Sequence, residues 1–288
     1  MKKVIVILGQ TATGKSDLAV KIALGHSHGR GKKIDGEIIS ADSRQVYKGL
    51  DIGTGKIIKK EMRGIPHHLL DVAIPKNKFS VAEYKKLVEE KIEEIIHRRK
   101  TPIICGGTGF YIDTLTKGVV FPEVPPNNKL RKDLGKKNEI ELFKILKKLD
   151  SARAKSIDKN NKVRLIRAIE IAKALGKVPK IIETKPKYKF IKIGLYLPPD
   201  KLKKKIKQRV KKMFQTGLLK EINKLKKLGV SDKRLKELGF EYNNPTKEKV
   251  IAETIKYAKR QMTWFKRDKE IRWFDASKLP SLKKIISE

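Results

Sequence analysis

The chain has 288 residues, of which 39% are hydrophobic and 35% charged, so it has enough apolar side chains for a folded core and is not a disordered protein. Lysine and arginine number 70 against 32 aspartate and glutamate residues, which gives a formal net charge of +38. A solvated surface does not require such an excess, which favours a polyanionic partner, with nucleic acid as the first candidate. The single cysteine, Cys105, excludes an internal disulfide and a cysteine-based zinc module.

No apolar run approaches the ~18 residues that a membrane helix needs. The first apolar run, Val4–Leu8, is also too short for a secretory signal. We therefore expect a cytoplasmic protein that does not contact a membrane.

Strand-like and helical segments alternate in the first part of the chain. Three buried strands are predicted, at Val4–Leu8, Glu37–Ala41 and Thr101–Cys105. Two helices and a basic, glycine-rich loop lie between them, at Lys15–Leu24, Ser80–Arg99 and Gly25–Gly36. This alternation is typical of a parallel α/β sheet.

The composition changes near Lys117, where three prolines mark a linker and Leu130–Leu175 predicts only helices. Strand character resumes at Phe190–Leu197. It is followed by three basic helices and a last strand, predicted at Leu202–Phe214, Leu218–Leu228, Lys247–Phe265 and Ile271–Phe274. We expect an all-helical insertion domain of residues 117–186 within a discontinuous α/β core of residues 1–116 and 187–288.

A phosphate-binding loop is predicted directly after the first strand. Residues 9–16 read GQTATGKS and fit the pattern G-x-x-x-x-G-K-[ST], which arises by chance in about one chain of this length in a hundred. Backbone N–H groups and the following helix N-terminus suit a phosphate, Lys15 adds charge, and the Ser16 hydroxyl can ligate Mg²⁺. We expect a di- or triphosphate to bind at Gly9, Gln10, Thr11, Ala12, Thr13, Gly14, Lys15 and Ser16.

Two further polar segments follow predicted strands. Asp42 begins the segment DSRQVY where the second strand ends, and Thr108 follows Gly106-Gly107 after the third. The carboxyl ends of parallel strands face the same crevice as a phosphate loop. Asp42 is therefore a candidate proton acceptor or metal-water ligand, but spacing alone does not separate this role from a helix N-cap. For Thr108, a glycine turn without function is the alternative.

Other polar residues carry weaker signals. Adjacent His67 and His68 lack the i, i+4 spacing of a helical metal site, so we expect them to be structural or solvent-facing. Arg164 and Arg167 lie three residues apart on a predicted helix. Each basic helix alone is typical of a solvated face, but with an excess of +38 they together favour RNA.

Taken in chain order, these segments resemble the tRNA dimethylallyltransferase (tRNA isopentenyltransferase) family. The resemblance is carried by residues 9–16, 42–47, 51–54, 66–71, 106–108 and 260–264. It implies a P-loop NTPase-like core whose helical insertion grips the anticodon arm of tRNA. It also implies that a dimethylallyl group passes from dimethylallyl diphosphate to the exocyclic amine, N6, of the adenosine 3′ of the anticodon, with Mg²⁺ as cofactor.

The resemblance further implies roles for individual residues. Asp42 matches the general base, Lys15, Thr108 and Arg209 match catalytic positions on the donor diphosphate, and Ser16 would hold Mg²⁺. The implied tRNA contacts are Asp42, Ser43, Arg44, Gln45, Thr108, Arg131, Val163, Arg164, Leu165, Ile166 and Arg167. Gln10 replaces a usual proline, and Glu241 stands where arginine is usual, which leaves that tRNA contact open.

Two other classes of protein remain as alternatives. A small-molecule or nucleotide kinase would also use the phosphate loop, with Asp42 at the acceptor hydroxyl, but it would not need the charge of +38. A non-catalytic RNA-binding NTPase would explain the charge but would give Asp42 and Thr108 no role. We expect a monomer, while the sequence leaves the substrate tRNAs and the hydroxylation of the donor open.

Overall fold

The structure is a computed structural model that describes residues 2–25, 35–180 and 182–286. The chain divides into two compact units, one formed by Met1–Gly118 with Lys185–Glu288 and the other by Val119–Thr184. We refer to them as the sheet unit and the insertion. Most of the loop predicted over Gly25–Gly36 lies outside the described residues.

The sheet unit is built on six parallel strands in the order β3-β2-β4-β1-β7-β8, and the insertion contains a two-stranded antiparallel ribbon of β5 and β6. The strands are β1 (Lys3–Gly9), β2 (Gly36–Ala41), β3 (His67–His68), β4 (Thr101–Gly106), β5 (Val119–Val120), β6 (Ile182–Glu183), β7 (Lys189–Tyr196) and β8 (Arg272–Asp275).

Helices cover both faces of the sheet and form most of the insertion. The helices are α1 (Lys15–Ala23), α2 (Lys59–Met62), α3 (Val81–His97), α4 (Gly109–Thr116), α5 (Asn128–Gly135), α6 (Glu139–Leu149), α7 (Ser151–Ser156), α8 (Lys162–Leu175), α9 (Pro199–Thr216), α10 (Leu218–Lys227), α11 (Asp232–Leu238), α12 (Lys247–Phe265) and α13 (Leu282–Ile286). A short 3-10 helix, Phe240–Tyr242, precedes α12. Among these described helices, none combines the length and apolar character needed to span a bilayer.

Strand β1 shows why the sheet is buried on both faces. Val4, Val6 and Leu8 belong to the hydrophobic cluster that also contains buried residues of α3 and α4. The alternate residues Ile5 and Ile7 belong to the cluster on the other face, together with α1. Because successive side chains of a strand point to opposite faces, this continuous β-branched run fits the centre of a parallel sheet.

The α/β class predicted from the sequence is confirmed by this sheet. Strand β3 was not predicted, because two residues carry no periodicity, and it is held by parallel pairing of His67 with Ile38 and of His68 with Ile39. The insertion was expected to be all-helical, and that detail is wrong. Val119 pairs with Glu183 and Val120 with Ile182, so β5 and β6 close the base of the insertion as a ribbon.

The insertion has its own hydrophobic core. Leu134, Leu142, Leu146, Leu165 and Ile169 are buried together between α5, α6 and α8. Side-chain caps begin the four helices α5–α8: Asn127, Asn138, Asp150 and Asn161 each accept a hydrogen bond from the third residue of their helix.

Candidate active site

The phosphate loop joins the end of β1 to the first turn of α1. Gly9 has φ of 130°, and a Cβ there would overlap the carbonyl group of Leu195, so the approach of β7 requires glycine. Gly14, with φ of 82°, is the N-cap of α1. The Lys15 ammonium group donates to the Gln10 carbonyl oxygen over 2.7 Å. Burial lowers the pKa of Lys15 to about 8, and neighbouring Cys105 and Asp42 oppose that shift. The loop thus holds a desolvated cation at the N-terminus of α1, which suits the binding of a phosphate.

Arg209 of α9 supplies a second cation beside this loop. Its Nη1 donates to the Thr11 hydroxyl over 3.1 Å, and its Nη2 donates to the Thr54 carbonyl oxygen over 2.7 Å. A Cβ on Gly55 would overlap the guanidinium group. Burial lowers the pKa of Arg209, whereas the negative charges of Asp42 and Glu241 act in the opposite direction. A desolvated guanidinium fixed in this way is suited to binding a diphosphate.

Asp42 follows β2 and uses one carboxylate oxygen to shape the backbone. Its Oδ1 accepts from the N–H of Arg44 over 2.8 Å and from the N–H of Gln45 over 3.3 Å, which closes a turn. No helix begins at this point of the described chain, so Asp42 is not the helix N-cap of the alternative interpretation. Among the described residues, no hydrogen bond is assigned to Oδ2. The Asp42 charge also acts on Lys15 and Arg209. Closing this turn and accepting a proton are therefore compatible, because they use different oxygens.

Thr108 connects the ends of β2 and β4. Its Oγ1 accepts from the Ser43 N–H over 2.9 Å, and its own N–H donates to the Ala41 carbonyl oxygen over 3.1 Å. A Cβ on Gly106 would overlap the Ala41 carbonyl, which explains the glycine. The side chain of Tyr257 from α12 contacts Thr108, and burial raises the pKa of its hydroxyl. The structure thus brings Asp42 and Thr108 to one edge of the sheet.

Gln261 is a buried residue of α12 for which sequence reasoning gave no role, although it lies in the segment 260–264 that carries the family resemblance. Its Oε1 accepts from the Thr11 N–H over 2.7 Å, and its Nε2 donates to the Gly107 carbonyl oxygen over 2.9 Å. Gln261 therefore ties the phosphate loop to the glycine turn before Thr108.

Glu221 of α10 is a second residue that sequence reasoning missed. Its carboxylate accepts from the N–H groups of Asp51, Ile52 and Gly53 over 2.7–3.0 Å and from the Tyr242 hydroxyl over 2.9 Å. These bonds hold the loop whose Thr54 carbonyl faces Arg209. No sequence signal distinguishes Glu221 from an exposed acid on a basic helix.

Glu241 lies on the short 3-10 helix, near the charged groups of Arg209, Arg44 and Asp42. Its carboxylate is partly buried and folds toward Gly239, where a Cβ would lie 2.7 Å from Oε2. Burial raises the pKa of Glu241 to about 7, while the positive charges of Arg209 and Arg44 oppose that shift. The position where the resembling family usually has arginine thus carries an acid that lies near Arg209 and Arg44.

In the insertion, the buried carboxylate of Glu170 binds two of the arginines that the family resemblance implies as tRNA contacts. It accepts from Arg131 Nε over 2.9 Å and Nη2 over 2.7 Å, from Arg167 Nη1, and from the Asn127 N–H over 2.6 Å. Arg167 Nη2 donates to the Val124 carbonyl oxygen over 2.8 Å. Both arginines are therefore anchored within the insertion.

The remaining residues of the 163–167 segment differ in exposure. Val163 and Arg164 are exposed, Ile166 is partly buried and Leu165 is fully buried in the insertion core. Arg164 is thus the arginine of this segment whose side chain is most available to a partner.

The two histidines of β3 are both engaged in hydrogen bonds. His67 Nδ1 bonds with the Ile65 carbonyl oxygen over 2.8 Å, and His68 Nε2 bonds with the buried carboxylate of Glu37 over 2.7 Å. The described residues contain no group of three or more His, Cys, Asp or Glu side chains arranged for a metal ion.

The chain matches known proteins over most of its length. Residues 45–268 match the IPP transferase family model. The tRNA dimethylallyltransferase of Anoxybacillus flavithermus is 40% identical over 289 residues, which cover 95% of this chain and 90% of that protein. The tRNA dimethylallyltransferase of Bacillus subtilis is 38% identical, with 94% of this chain and 90% of that protein covered.

Solved structures agree with these relatives. The tRNA isopentenylpyrophosphate transferase of Bacillus halodurans superposes with a TM-score of 0.70 at 34% identity and covers 99% of this chain and 94% of its own. A eukaryotic dimethylallyltransferase acting on tRNA gives a TM-score of 0.81 at 27% identity over 99% of this chain and 77% of its own. The chain therefore belongs to the tRNA dimethylallyltransferase family.

Proposed function

We propose that this enzyme transfers a dimethylallyl group from dimethylallyl diphosphate to N6 of the adenosine 3′ of the anticodon in tRNA. The observation that carries the proposal is the convergence of three elements on one sheet edge. The phosphate loop with Lys15, the Arg209 guanidinium on Thr11, and the Asp42–Thr108 pair all lie there. Family membership supports the same reaction.

The donor diphosphate would bind at residues 9–16. Backbone N–H groups of the loop, the Lys15 ammonium and the Arg209 guanidinium are the groups that face a bound diphosphate, and the Thr108 hydroxyl adds a hydrogen bond. As the C1–O bond of the donor breaks, the electron pair stays on the diphosphate, and these donors stabilise the charge that develops there. They are held in place by Gln261 and Glu221, so little reorganisation is needed.

The acceptor amine would lie at Asp42. An adenine amine is a weak nucleophile and must lose a proton as its nitrogen bonds to C1 of the donor. Asp42 Oδ2 would take that proton, a role supported by the two backbone N–H groups that hold Oδ1 and fix the carboxylate. We assign Asp42 the role of general base.

Mg²⁺ is the cofactor that fits this site. Ser16 lies in the first turn of α1, and its hydroxyl is an oxygen ligand of the kind that Mg²⁺ accepts. Since the described residues contain no all-protein metal cluster, the substrate phosphates and water would complete the ligand set, as is usual for Mg²⁺ at phosphate sites. When bound, the ion would neutralise charge on the leaving diphosphate.

We assign tRNA binding to the insertion and to the residues beside Asp42. In the insertion the contacts would come from Arg131 and from the 163–167 segment, with Arg164 exposed. At the sheet edge, Ser43, Arg44 and Gln45 adjoin the acceptor site. The net charge of +38 supports a phosphate-rich partner.

A direct test is to incubate the enzyme with unmodified tRNA, Mg²⁺ and dimethylallyl diphosphate and then to digest the tRNA for nucleoside mass analysis. We expect N6-isopentenyladenosine, and ATP should act at most as a weak competitor. Hydrolysis of ATP with tRNA left unmodified would contradict the proposal and favour the NTPase alternative. Phosphorylation of a small acceptor would favour the kinase.

A further inference from the structure

A cavity adjoins the phosphate loop on the side of β7 and β8. Its volume is about 540 Å³, it is partly open to solvent, and α1, α9 and the segment after β8 border it. It shares Ala12, Thr13 and Gly14 with the phosphate loop, but none of Lys15, Asp42 and Arg209 lines it. The cavity is thus continuous with the loop and separate from the reacting groups.

The cavity is strongly cationic. Lys21, Lys201, Lys204 and Lys205 line it, against the single acid Asp17. Lys201 Nζ donates to the Ser277 hydroxyl over 3.0 Å and so joins α9 to the turn after β8. For the other three lysines, no hydrogen bond or ion pair is assigned within the part of the chain that the structure describes. Three like charges around one concave space repel one another, and an anion relieves that repulsion.

The spacing of the lysines on α9 places this charge on one face of the helix. Lys201, Lys204 and Lys205 follow the i, i+3, i+4 pattern of one helical stripe. A second exposed stripe on the same helix, Lys203, Lys207 and Lys211, does not line the cavity. This second stripe therefore provides a control of equal charge on the same helix.

Part of the lining of the cavity is apolar. Leu18, Leu197 and Leu279 line it together with the small side chains of Ala12 and Ala276. A volume of this size lies in the range of small-molecule pockets. The chemistry that fits such a space is a compact anion with a short apolar tail, and lysines bind phosphate as compact point charges.

We infer that this cavity is a second diphosphate site, an outer subsite that holds a diphosphate-bearing molecule beside the phosphate loop. Its occupant is either the prenyl diphosphate before transfer or inorganic diphosphate after transfer. The identity of the occupant rests on the proposed function, because that reaction consumes one of these molecules and releases the other. The shared Ala12, Thr13 and Gly14 connect the outer subsite to the loop where the donor would react.

The test is calorimetric titration of the full chain with inorganic diphosphate, in the absence of tRNA and of divalent cations. We expect two binding steps per chain. The triple variant Lys21→Gln, Lys204→Gln, Lys205→Gln should weaken binding at the outer subsite at least tenfold and leave binding at the phosphate loop unchanged. Lys15→Ala should weaken only the step at the phosphate loop. The control Lys203→Gln, Lys207→Gln, Lys211→Gln removes the same charge and should leave both steps within about twofold.

The absence of a binding step that the cavity variant weakens and Lys15→Ala leaves unchanged would overturn the inference. Equal weakening by the cavity variant and the control would also overturn it, because only the general field of a +38 chain would then be acting. Repeating the titration with dimethylallyl diphosphate separates the sources: tighter binding at the outer step assigns the subsite to the donor, and equal or weaker binding assigns it to the product.

Competition with an anticodon stem-loop RNA tests whether the cavity binds RNA phosphates instead of a diphosphate. Displacement of diphosphate from the outer step alone would assign the cavity to RNA phosphates and refute the diphosphate assignment. Because the titration does not depend on prenyl transfer, a failure of the transfer assay would not change the binding result. In the same way, the absence of the outer binding step would not contradict the proposed function.

Discussion

Replacing Asp42 by asparagine separates the two roles of its carboxylate. The asparagine side chain would keep an oxygen that accepts from the N–H groups of Arg44 and Gln45, so the turn after β2 should persist. We expect the free energy of unfolding to change by less than ~1 kcal/mol. An amide cannot take the proton of the amine, and loss of a general base costs ~10²–10⁴ in rate, or ~3–5 kcal/mol in activation free energy.

The assay is single-turnover transfer at saturating tRNA and donor, with isopentenyladenosine measured by mass analysis and the Tm measured in parallel. Donor affinity should survive, since Lys15 and the loop amides remain. Asp42→Ala is the control, because it also removes the two hydrogen bonds and should cost a further ~1–2 kcal/mol of stability. A transfer rate for Asp42→Asn close to that of the unaltered enzyme would refute the reasoning and move the proton acceptor to water or the leaving diphosphate.

Three further changes test the surroundings of the site. Arg164→Ala should raise the KM for tRNA and reduce the salt slope of binding by about one unit with the Tm unchanged; an unchanged slope would make this arginine a solvated residue. Glu170→Gln should instead lower stability by ~2 kcal/mol or more, measured by denaturant unfolding, because two arginines lose their buried carboxylate. Glu241→Gln should flatten the pH dependence of stability: since burial raises its pKa to about 7, the ionised carboxylate destabilises the fold as pH rises from about 4.5 to 7. Identical Tm–pH profiles of Glu241→Gln and the unaltered protein would contradict this.

The phosphate loop and the strands of the sheet could be predicted because their signals are local. A strand, a glycine loop and a helix follow one another within residues 3–23, and each is specified by neighbouring residue types. The same is true of the carboxyl ends of β2 and β4, which place Asp42 and Thr108 at one edge. Short strands such as β3 depend on pairing with a distant partner and leave no such signal.

The groups that complete the site come from far along the chain. Arg209 meets Thr11 across 198 residues, and Gln261 meets the Thr11 N–H across 250. Contacts of this separation arise from how α9 and α12 pack on the sheet, which periodicity does not report. The family resemblance supplied Arg209 but no role for Gln261, and an isolated acid such as Glu221 on a lysine-rich helix has no local feature that marks it as buried.

The few buried acids of this basic chain fix loops and arginines in place. Glu37, Glu170 and Glu221 are buried among the described residues, and each gathers several donors. Glu37 pairs with His68 and Arg98, and Glu221 binds three backbone amides. Burying a carboxylate is costly unless it is fully hydrogen-bonded, so these acids act as fixed points that hold loops and arginines in place. Lysine and arginine outnumber the acids by 70 to 32, so the positive charge left over after these pairings is available to a phosphate-rich partner.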